Sequence, residues 1–311
     1  MNQTDAEHTR DQKSEPLVHP RIAVTGFRGF IGRRLVETLV NLGAELTLLE
    51  GDVRQSATWG REFDVLIHLA AATGAEFSAN PGKSFSVNLG GVTNALEACR
   101  NRSAAMVFPS TCGVYRPVEK GIVAESHPVE GRTPYAASKL MGEMLCESYA
   151  SAYGVPCCVL RLFNVYGGGQ GDPFLIPYLL RCAVEDAPAI VKHPDSVRDF
   201  VHVEDVVDAI LKASSITSGH RVLNIGSAEP HSVSQVIDLV GQVIGRDVKW
   251  TSETALPDPH PSIWADIQNA RECLGWAPKV SLERGLAETA QHLTNVGTAP
   301  PSGVQDALIS G

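Results

Sequence analysis

Short apolar runs alternate with stretches of helical periodicity through the first half of the chain. Apolar runs of strand length cover 21–25, 46–49, 65–71, 105–109 and 155–163. Apolar residues recur at helical spacing over 31–42, 87–99 and 135–153. Strands that alternate with helices form βαβ units, so this pattern predicts a parallel sheet covered by helices on both faces.

The pattern changes after residue 166. A glycine-rich loop at 167–173 leads to apolar helical patterns at 176–185, 233–244 and 282–293. The runs at 201–214 and 221–226 are predicted to return to the main sheet. We therefore predict an α/β chain with a Rossmann-type, doubly wound domain over 20–165 (with returns near 199–228) and a smaller, discontinuous C-terminal substrate lobe over 166–198 and 229–293. The ends, 1–19 and 296–311, are predicted to be disordered tails.

Composition excludes several classes of protein. The chain has 311 residues, 43% of them hydrophobic, and a net charge of −9. No apolar run reaches the roughly 18 residues of a membrane span, and the polar N-terminus has no apolar core typical of a secretory signal. The acidic balance argues against nucleic acid as a partner. Seven cysteines without paired spacing indicate neither a metal site nor a disulfide framework, so we expect reduced thiols and a cytoplasmic location.

A glycine-rich turn joins the first predicted strand to the first predicted helix. Glycines 26, 29 and 32 are three residues apart, not at the Gly-x-Gly-x-x-Gly spacing of ordinary dinucleotide folds. Glycines let a backbone approach a pyrophosphate at a helix N-terminus, where side chains would block it. The turn predicts dinucleotide binding by Gly26, Arg28, Gly29, Phe30, Ile31 and Gly32.

Cofactor preference depends on the end of the second strand. Glu50 follows Gly32 by 18 residues, close to the position of the acid that bonds the adenosine ribose. A carboxylate there favours NAD, whereas Arg28 could pair with the extra phosphate of NADP. Asp52 and Val53 are placed beside the adenine, and the crossover from this strand to Asp64 is short. NAD is the expected cofactor, with NADP as the alternative.

Tyr135 and Lys139 are the candidate catalytic pair. They lie four residues apart at the start of a helix that Thr133 caps and Pro134 begins. This spacing puts both side chains on one helix face. A lysine cation would lower the pKa of the tyrosine, so that its oxygen could exchange a proton with an alcohol or ketone. Thr111, at the end of a buried strand, is positioned to hold the substrate oxygen.

These motifs resemble an extended short-chain dehydrogenase/reductase of the NAD-dependent epimerase/dehydratase family, over 21–293. Further matching positions are Leu69, Ala70 and Ala71 after the fourth strand, Asn88, and the segments 161–167 and 198–203. The resemblance implies that residues 69–71, Asn88, Tyr135 and Lys139 contact the cofactor. It also places Asn164 beside the substrate phosphates and has Arg198 pair with them.

Two departures from the family pattern limit the reaction and the substrate. Cys112 and Gly113 stand where dehydratases of the family carry Asp-Glu, so dehydration is not expected; both residues remain candidates for substrate contact. The family's arginine before Asp266 is missing, because 256–265 contains only His260 as a cation-forming side chain. This gap leaves a non-nucleotide ketone or alcohol open as the substrate.

The resemblance implies oxidoreduction at C4 of a nucleotide-linked hexose, by a 4-ketoreductase or a 4-epimerase. The short crossover beside the predicted adenosine position favours a reductase, which exchanges its cofactor at each turnover. The large number of epimerases in the family favours a 4-epimerase. A regulator that binds cofactor without catalysis is a further alternative. A homodimer is expected, because the helices at 87–99 and 135–153 pair across two-fold axes in the family. Apolar residues predicted on their outer faces are Ala95, Ala98, Met141, Met144 and Leu145.

Overall fold

A six-stranded parallel sheet forms the centre of the computed structural model, which describes residues 20–118, 120–171, 174–253 and 262–297. The strands are β1 (Ile22–Thr25), β2 (Leu46–Leu48), β3 (Val65–His68), β4 (Ala105–Thr111), β5 (Lys120–Val123), β6 (Cys157–Leu162), β7 (Asn164–Tyr166), β8 (Ala189–Val191), β9 (Val197–His202), β10 (His220–Ile225), β11 (Pro230–Ser232), β12 (Trp250–Ser252) and β13 (Ser262–Ala265). The order of the central sheet is β10-β6-β4-β3-β1-β2, and every pair in it is parallel.

Helices cover both faces of this sheet. They are α1 (Phe30–Asn41), α2 (Gly74–Ala79), α3 (Pro81–Arg102), α4 (Pro134–Tyr153), α5 (Leu175–Glu185), α6 (Val203–Ala213), α7 (Val233–Ile244), α8 (Gln268–Leu274) and α9 (Leu282–Gly297). Buried residues of α1 and α6 pack on one face, and those of α3 and α4 pack on the other. Strands buried on both faces carry unbroken apolar runs, which is why the sequence shows no alternation there.

The order in which strands are added to the sheet reverses between β1 and β3. β2 pairs with one side of β1 and β3 pairs with the other, so the chain builds the sheet first towards one edge and then towards the opposite edge. Ligands of open α/β sheets bind in the crevice outside the carboxyl ends of strands at such a point. The glycine turn after β1, residues 69–71 after β3 and Thr111 at the end of β4 all lie at this edge.

A second core lies outside the main sheet. It is built from buried residues of α5, α7, α9 and β8, together with Tyr166 and Phe200. A three-stranded sheet, β11-β9-β7, borders it, and β8 pairs with β12. Residues 262–276, assigned to the lobe from the sequence, instead contribute Ile263 and Trp276 to the main core, and β13 pairs with β5.

Most predicted elements are present, with three corrections. The segment 201–214 does not return to the main sheet: β9 pairs with β7 and β11, and α6 then packs on the sheet face. The strand before residues 69–71 is the third and not the fourth, because the crossover after β2 holds only a 3₁₀ turn, Ser56–Trp59. Helix α9 continues through the predicted tail start at 296 to residue 297; residues 1–19 and 298–311 lie outside the described residues.

Helix α4 approaches the sheet closely at Gly142. A Cβ atom placed on Gly142 would lie 2.6 Å from the Phe108 ring of β4. A glycine in mid-helix usually costs stability relative to alanine, so close packing is the reason for it here. The contact lets helix α4 lie close to β4.

Gly142→Ala should therefore destabilise the fold by about 1–3 kcal/mol, because the added methyl group overpacks the interface with Phe108. Gly90→Ala in α3 is the matched control, since its Cβ would meet only ordinary contact at 3.5 Å. That control should be neutral or slightly stabilising. Urea unfolding of both variants measures the difference, and equal stability of the two would contradict this packing argument.

Candidate active site

The glycine turn is built for close backbone contact. A Cβ on Gly26, whose φ is +66°, would lie 2.5 Å from the backbone nitrogen of Ala70, and a Cβ on Gly32 would lie 2.3 Å from the Gly26 oxygen. The half-buried Phe30 and Ile31 open helix α1. Larger side chains at Gly26 and Gly32 would push the turn away from the end of β3. The sequence predicted this turn correctly.

The N-terminus of α1 fits a pyrophosphate. Gly29 begins the helix without a side-chain cap, and the first turn carries no acidic residue. Thr133 caps α4 and Ser232 caps α7, whereas α5 and α8 lack a side-chain cap as α1 does. Uncapped backbone N–H groups and the positive end of the helix dipole suit an anionic group. This observation supports binding of a dinucleotide at the turn.

Glu50 and Arg28 are joined in the structure. Arg28 donates to Glu50 Oε1 at 2.8 Å, and both side chains are about two-thirds exposed, at 67% and 65%. The two residues that argued for opposite cofactors therefore neutralise each other at the end of β2. Asp52 accepts from Arg54 Nε at 2.9 Å, and this partner lowers the pKa of Asp52 to about 2. Val53 is buried against helix α3.

The loop after β3 is held from two sides. Thr25 Oγ1 accepts from the Ala70 nitrogen at 3.2 Å and shares a 2.9 Å hydrogen bond with His68 Nδ1. Asn88 Oδ1 accepts from the Ala72 nitrogen at 2.7 Å, and its Nδ2 donates to Ala72 O and to Ser138 Oγ. The amide of Asn88 thus ties residues 69–72 to helix α4. Leu69, Ala70 and Ala71 are half-buried at this edge.

Tyr135 and Lys139 begin helix α4 as expected. Thr133 accepts from the Ala136 nitrogen at 3.1 Å, and Pro134 is the first helical residue. The Tyr135 ring lies edge-on to Phe77, with centroids 6.2 Å apart. Lys139 Nζ donates to the Pro109 carbonyl at 2.9 Å and lies over the Phe108 ring.

Burial governs the protonation of this pair. It raises the pKa of Tyr135 to about 12, with smaller contributions from Cys112 and Glu76. It lowers the pKa of Lys139 to about 8, which still leaves a cation at neutral pH. The expectation that Lys139 lowers the tyrosine pKa is not met in the protein alone, because loss of hydration is the largest cause of the shift and Lys139 is not among its causes. Tyr135 is a protonated donor here.

Thr111 ends β4 beside helix α4. Its Oγ1 accepts from the Gly113 nitrogen at 3.1 Å, and its hydroxyl also lies within hydrogen-bonding reach of Cys112. Burial raises the pKa of Cys112 to about 12, so the thiol stays neutral. A Cβ on Gly113 would only touch Thr111 and Ala136, at 3.4 and 3.7 Å. This loop presents a hydroxyl and no carboxylate.

The two predicted phosphate ligands lie on neighbouring strands. Asn164 opens β7 and donates to the Asp199 carbonyl at 2.9 Å, while Arg198 is half-buried on β9. Asp199 points away from them and accepts from Ser227, Ala228 and the Ala265 nitrogen. His260, noted in the sequence, lies outside the described residues.

A buried ion pair supports the site from below. Arg161 of β6 donates to Glu143 of α4 at 2.7 Å, with both side chains less than a tenth exposed. Ser110 also donates to Glu143, and Arg161 Nη1 donates to the Glu125 carbonyl at 3.1 Å. Sequence reasoning missed Glu143 and His68. Their signals were the position of Glu143 four residues after Lys139 and that of His68 at a strand end.

The comparison with family models decides the family. The model of the NAD dependent epimerase/dehydratase family matches residues 22–226. The chain belongs to this family. It is therefore related to enzymes that use NAD, and the glycine turn and uncapped helix described above fit that cofactor.

Individual relatives agree. A Bacillus subtilis protein described as an uncharacterized UDP-glucose epimerase, YtcB, is 32% identical over 240 residues, 75% of each chain. The UDP-glucose 4-epimerase of Thermotoga maritima, solved with UDP-glucose, superposes with a TM-score of 0.83 at 27% identity, covering 88% of this chain and 99% of that one. MoeE5, solved with UDP-glucose and NAD, gives 0.82 at 27%, covering 89% and 99%. Within the described ranges, no helix has the length and apolarity needed to cross a bilayer.

His68 gives the site a measurable pH signature. Burial, aided by the Lys139 charge, lowers the pKa of His68 from 6.5 to about 3. The neutral ring therefore stabilises the fold fully above about pH 6.5, and this contribution is lost as the pH falls towards 3.

We expect the free energy of unfolding of the wild-type protein to fall between pH 7 and 5 by up to about 1.4 kcal/mol per pH unit from this group. His68→Gln should flatten that slope, whereas His292→Gln, at an exposed position, should leave it unchanged. Urea titrations at several pH values measure the slopes. An unchanged slope in His68→Gln would show that His68 is not buried as a neutral ring.

Proposed function

We propose that the protein is an NAD-dependent enzyme that oxidises and reduces C4 of a nucleotide-linked hexose, acting as a 4-epimerase. The observation that supports the proposal is the packing of α4, which begins with Tyr135 and Lys139, against β4, which ends at Thr111: Lys139 Nζ donates to the Pro109 carbonyl of that strand. UDP-glucose in the solved relatives supports a nucleotide-sugar substrate. The curated relatives named as 4-epimerases favour that reaction over a single reduction.

The mechanism assigns each side chain one task. Bound NAD supplies the hydride acceptor and donor for the sugar carbon. Tyr135 gives its proton to the C4 oxygen during reduction and takes it back during oxidation. The Lys139 cation, one helical turn away, stabilises the phenolate that forms when Tyr135 gives up its proton in reduction and that takes the proton back in oxidation. The Thr111 hydroxyl donates to the same oxygen and fixes its position.

Substrate placement falls to the neighbouring sheet. Arg198 on β9 and Asn164 on β7 are proposed to hold the diphosphate, since a guanidinium is permanently charged and can bond in bidentate fashion. The substrate would lie in the cleft between the domain at 20–165, with its returns near 199–228, and the lobe at 166–198 and 229–293. A cytoplasmic location is proposed because all seven cysteines are free thiols.

A 4-ketoreductase is the second candidate. The crossover between Glu50 and Asp64 holds only the 3₁₀ turn Ser56–Trp59, and the Arg28–Glu50 pair is exposed. A short crossover beside the adenosine of the cofactor favours cofactor exchange at each turnover. A reductase needs this exchange and an epimerase does not. The assay described next also tests the remaining alternatives. These are the use of NADP, a non-nucleotide ketone or alcohol as the substrate, and a regulator without catalysis.

The assay incubates the protein with UDP-glucose and separates the C4 epimer chromatographically, with and without added NAD. Tyr135→Phe should keep the fold and NAD affinity but lower turnover by about 10²–10⁴, the usual value of a positioned proton donor. Tyr153→Phe, exposed on the same helix, should match wild type.

Activity only with added reduced cofactor and a 4-keto sugar would support the reductase. Conversion of ketones that carry no nucleotide would show that the substrate is a non-nucleotide ketone or alcohol. Near-normal turnover by Tyr135→Phe would overturn the mechanism.

A homodimer through helices α3 and α4 is also proposed. The two helices pack together, and Met141 and Met144 stand on the outer face of α4, 45% and 62% exposed. The expectation that Ala95 and Ala98 share this face is wrong: both are buried against the main sheet, and Leu145 is half-buried. The apolar outer face is therefore carried by α4, and a self-complementary face suits a closed dimer.

Met144→Glu should shift the protein from dimer to monomer, because it places a charge at the centre of the apolar face. Val184→Glu, at an exposed position on α5, is the matched control and should keep the wild-type mass. Light scattering at micromolar concentration measures the mass of each. A wild-type monomer of about 33 kDa would exclude the dimer.

A further inference from the structure

His231 stands directly opposite Arg198. Strand β11 pairs antiparallel with β9, and the register aligns His231 with Arg198 between the pairs Pro230–Asp199 and Ser232–Val197. Residues directly opposite in an antiparallel pair point to the same face of the sheet. The imidazole and the guanidinium are therefore neighbours on one face of the β11-β9-β7 sheet.

The imidazole carries a buried nitrogen with no protein partner. His231 Nε2 is shielded from solvent and has no hydrogen bond to any described residue. Buried polar atoms in native proteins are nearly always bonded to protein, water or ligand. A half-buried histidine with this nitrogen buried, beside an arginine, indicates a ligand-binding position.

The loop before His231 is held rigidly. Ala228 adopts a left-handed backbone, with φ of +61°, which costs energy for a residue with a Cβ. Buried Asp199 compensates by accepting from the Ser227 nitrogen at 2.6 Å and from the Ala228 nitrogen at 3.1 Å. Strained backbone held in this way is typical of ligand sites. The same bonds hold β11 at β9, and so fix His231 opposite Arg198.

Arg198 lies near the loop that follows Thr111. Burial and Asp199 raise the pKa of Cys112, and the Arg198 charge opposes that rise. Arg198 therefore acts electrostatically on the residue that follows Thr111.

We propose that His231 is a second ligand of the substrate diphosphate, donating from Nε2 to a phosphate oxygen beside Arg198. The inference rests on the proposed nucleotide-sugar substrate and deepens it. It assigns the recognition of a diphosphate to two adjacent strands of one small sheet.

The test measures binding of UDP-glucose and UDP by calorimetry, with dTDP-glucose and GDP-mannose as alternative nucleotides. His231→Leu should weaken diphosphate binding about tenfold to hundredfold, the value of a hydrogen bond to a charged group. His231→Gln, which keeps an N–H donor of similar reach, should recover most of the affinity. NAD affinity should be unchanged in both variants.

His220→Leu is the matched control. Its Nε2 is also buried without a partner, but it begins β10 at the amino edge of the main sheet, away from the ligand-binding edge. We expect it to bind UDP-glucose as the wild type does.

The outcomes separate the inference from the proposed function. If wild-type protein binds NAD but none of the nucleotide sugars, the substrate assignment fails. If wild type binds UDP-glucose and His231→Leu binds it within about twofold, the role of His231 is wrong while the substrate stands. If His231→Leu also loses NAD binding, the UDP-glucose affinities of His231→Gln and His231→Asn are compared instead. Asparagine cannot place a donor at the Nε2 position, so equal affinities of the two variants would contradict the role of His231.

Discussion

The ion pair between Glu143 and Arg161 joins the catalytic helix to the sheet beneath it. Glu143 is four residues after Lys139 on α4, Arg161 is on β6, and Ser110 of β4 donates to the same carboxylate. Removing one partner of such a buried pair costs about 3–5 kcal/mol, because the other charge is left without compensation. The position of α4 relative to β4 therefore depends on this pair, and so does the proposed arrangement of Tyr135 and Thr111.

Loss of water sets the charges at the same edge of the sheet. Burial raises the pKa of Tyr135 and lowers those of Lys139 and His68, so the site holds a phenol, a lysine cation and a neutral imidazole near neutral pH. In the proposed mechanism the protonated Tyr135 reduces the ketone, and the Lys139 cation stabilises the phenolate that oxidation of the alcohol needs. The opposite pKa shifts of these two residues have the same main cause, the loss of water on burial.

The sequence by itself determined whatever depends on local spacing. Apolar runs and helical periods predicted the parallel sheet and its helices because burial repeats at fixed intervals along each element. The turn at 26–32 was identifiable because its glycines must accept close backbone contact. Tyr135 and Lys139 share a face because helix geometry requires it, and Thr133 marks the helix start because its side chain caps a neighbouring N–H group.

Only the tertiary structure decided which distant groups meet. It paired Arg28 with Glu50, committed the amide of Asn88 to the protein itself, and directed β9 out of the main sheet. It also reversed the expected pKa of Tyr135 and placed His231 opposite Arg198. Strand register, partner choice and burial depend on contacts between residues far apart in the chain. Local spacing along the chain does not determine these long-range contacts, so the features that depend on them follow from the folded structure alone.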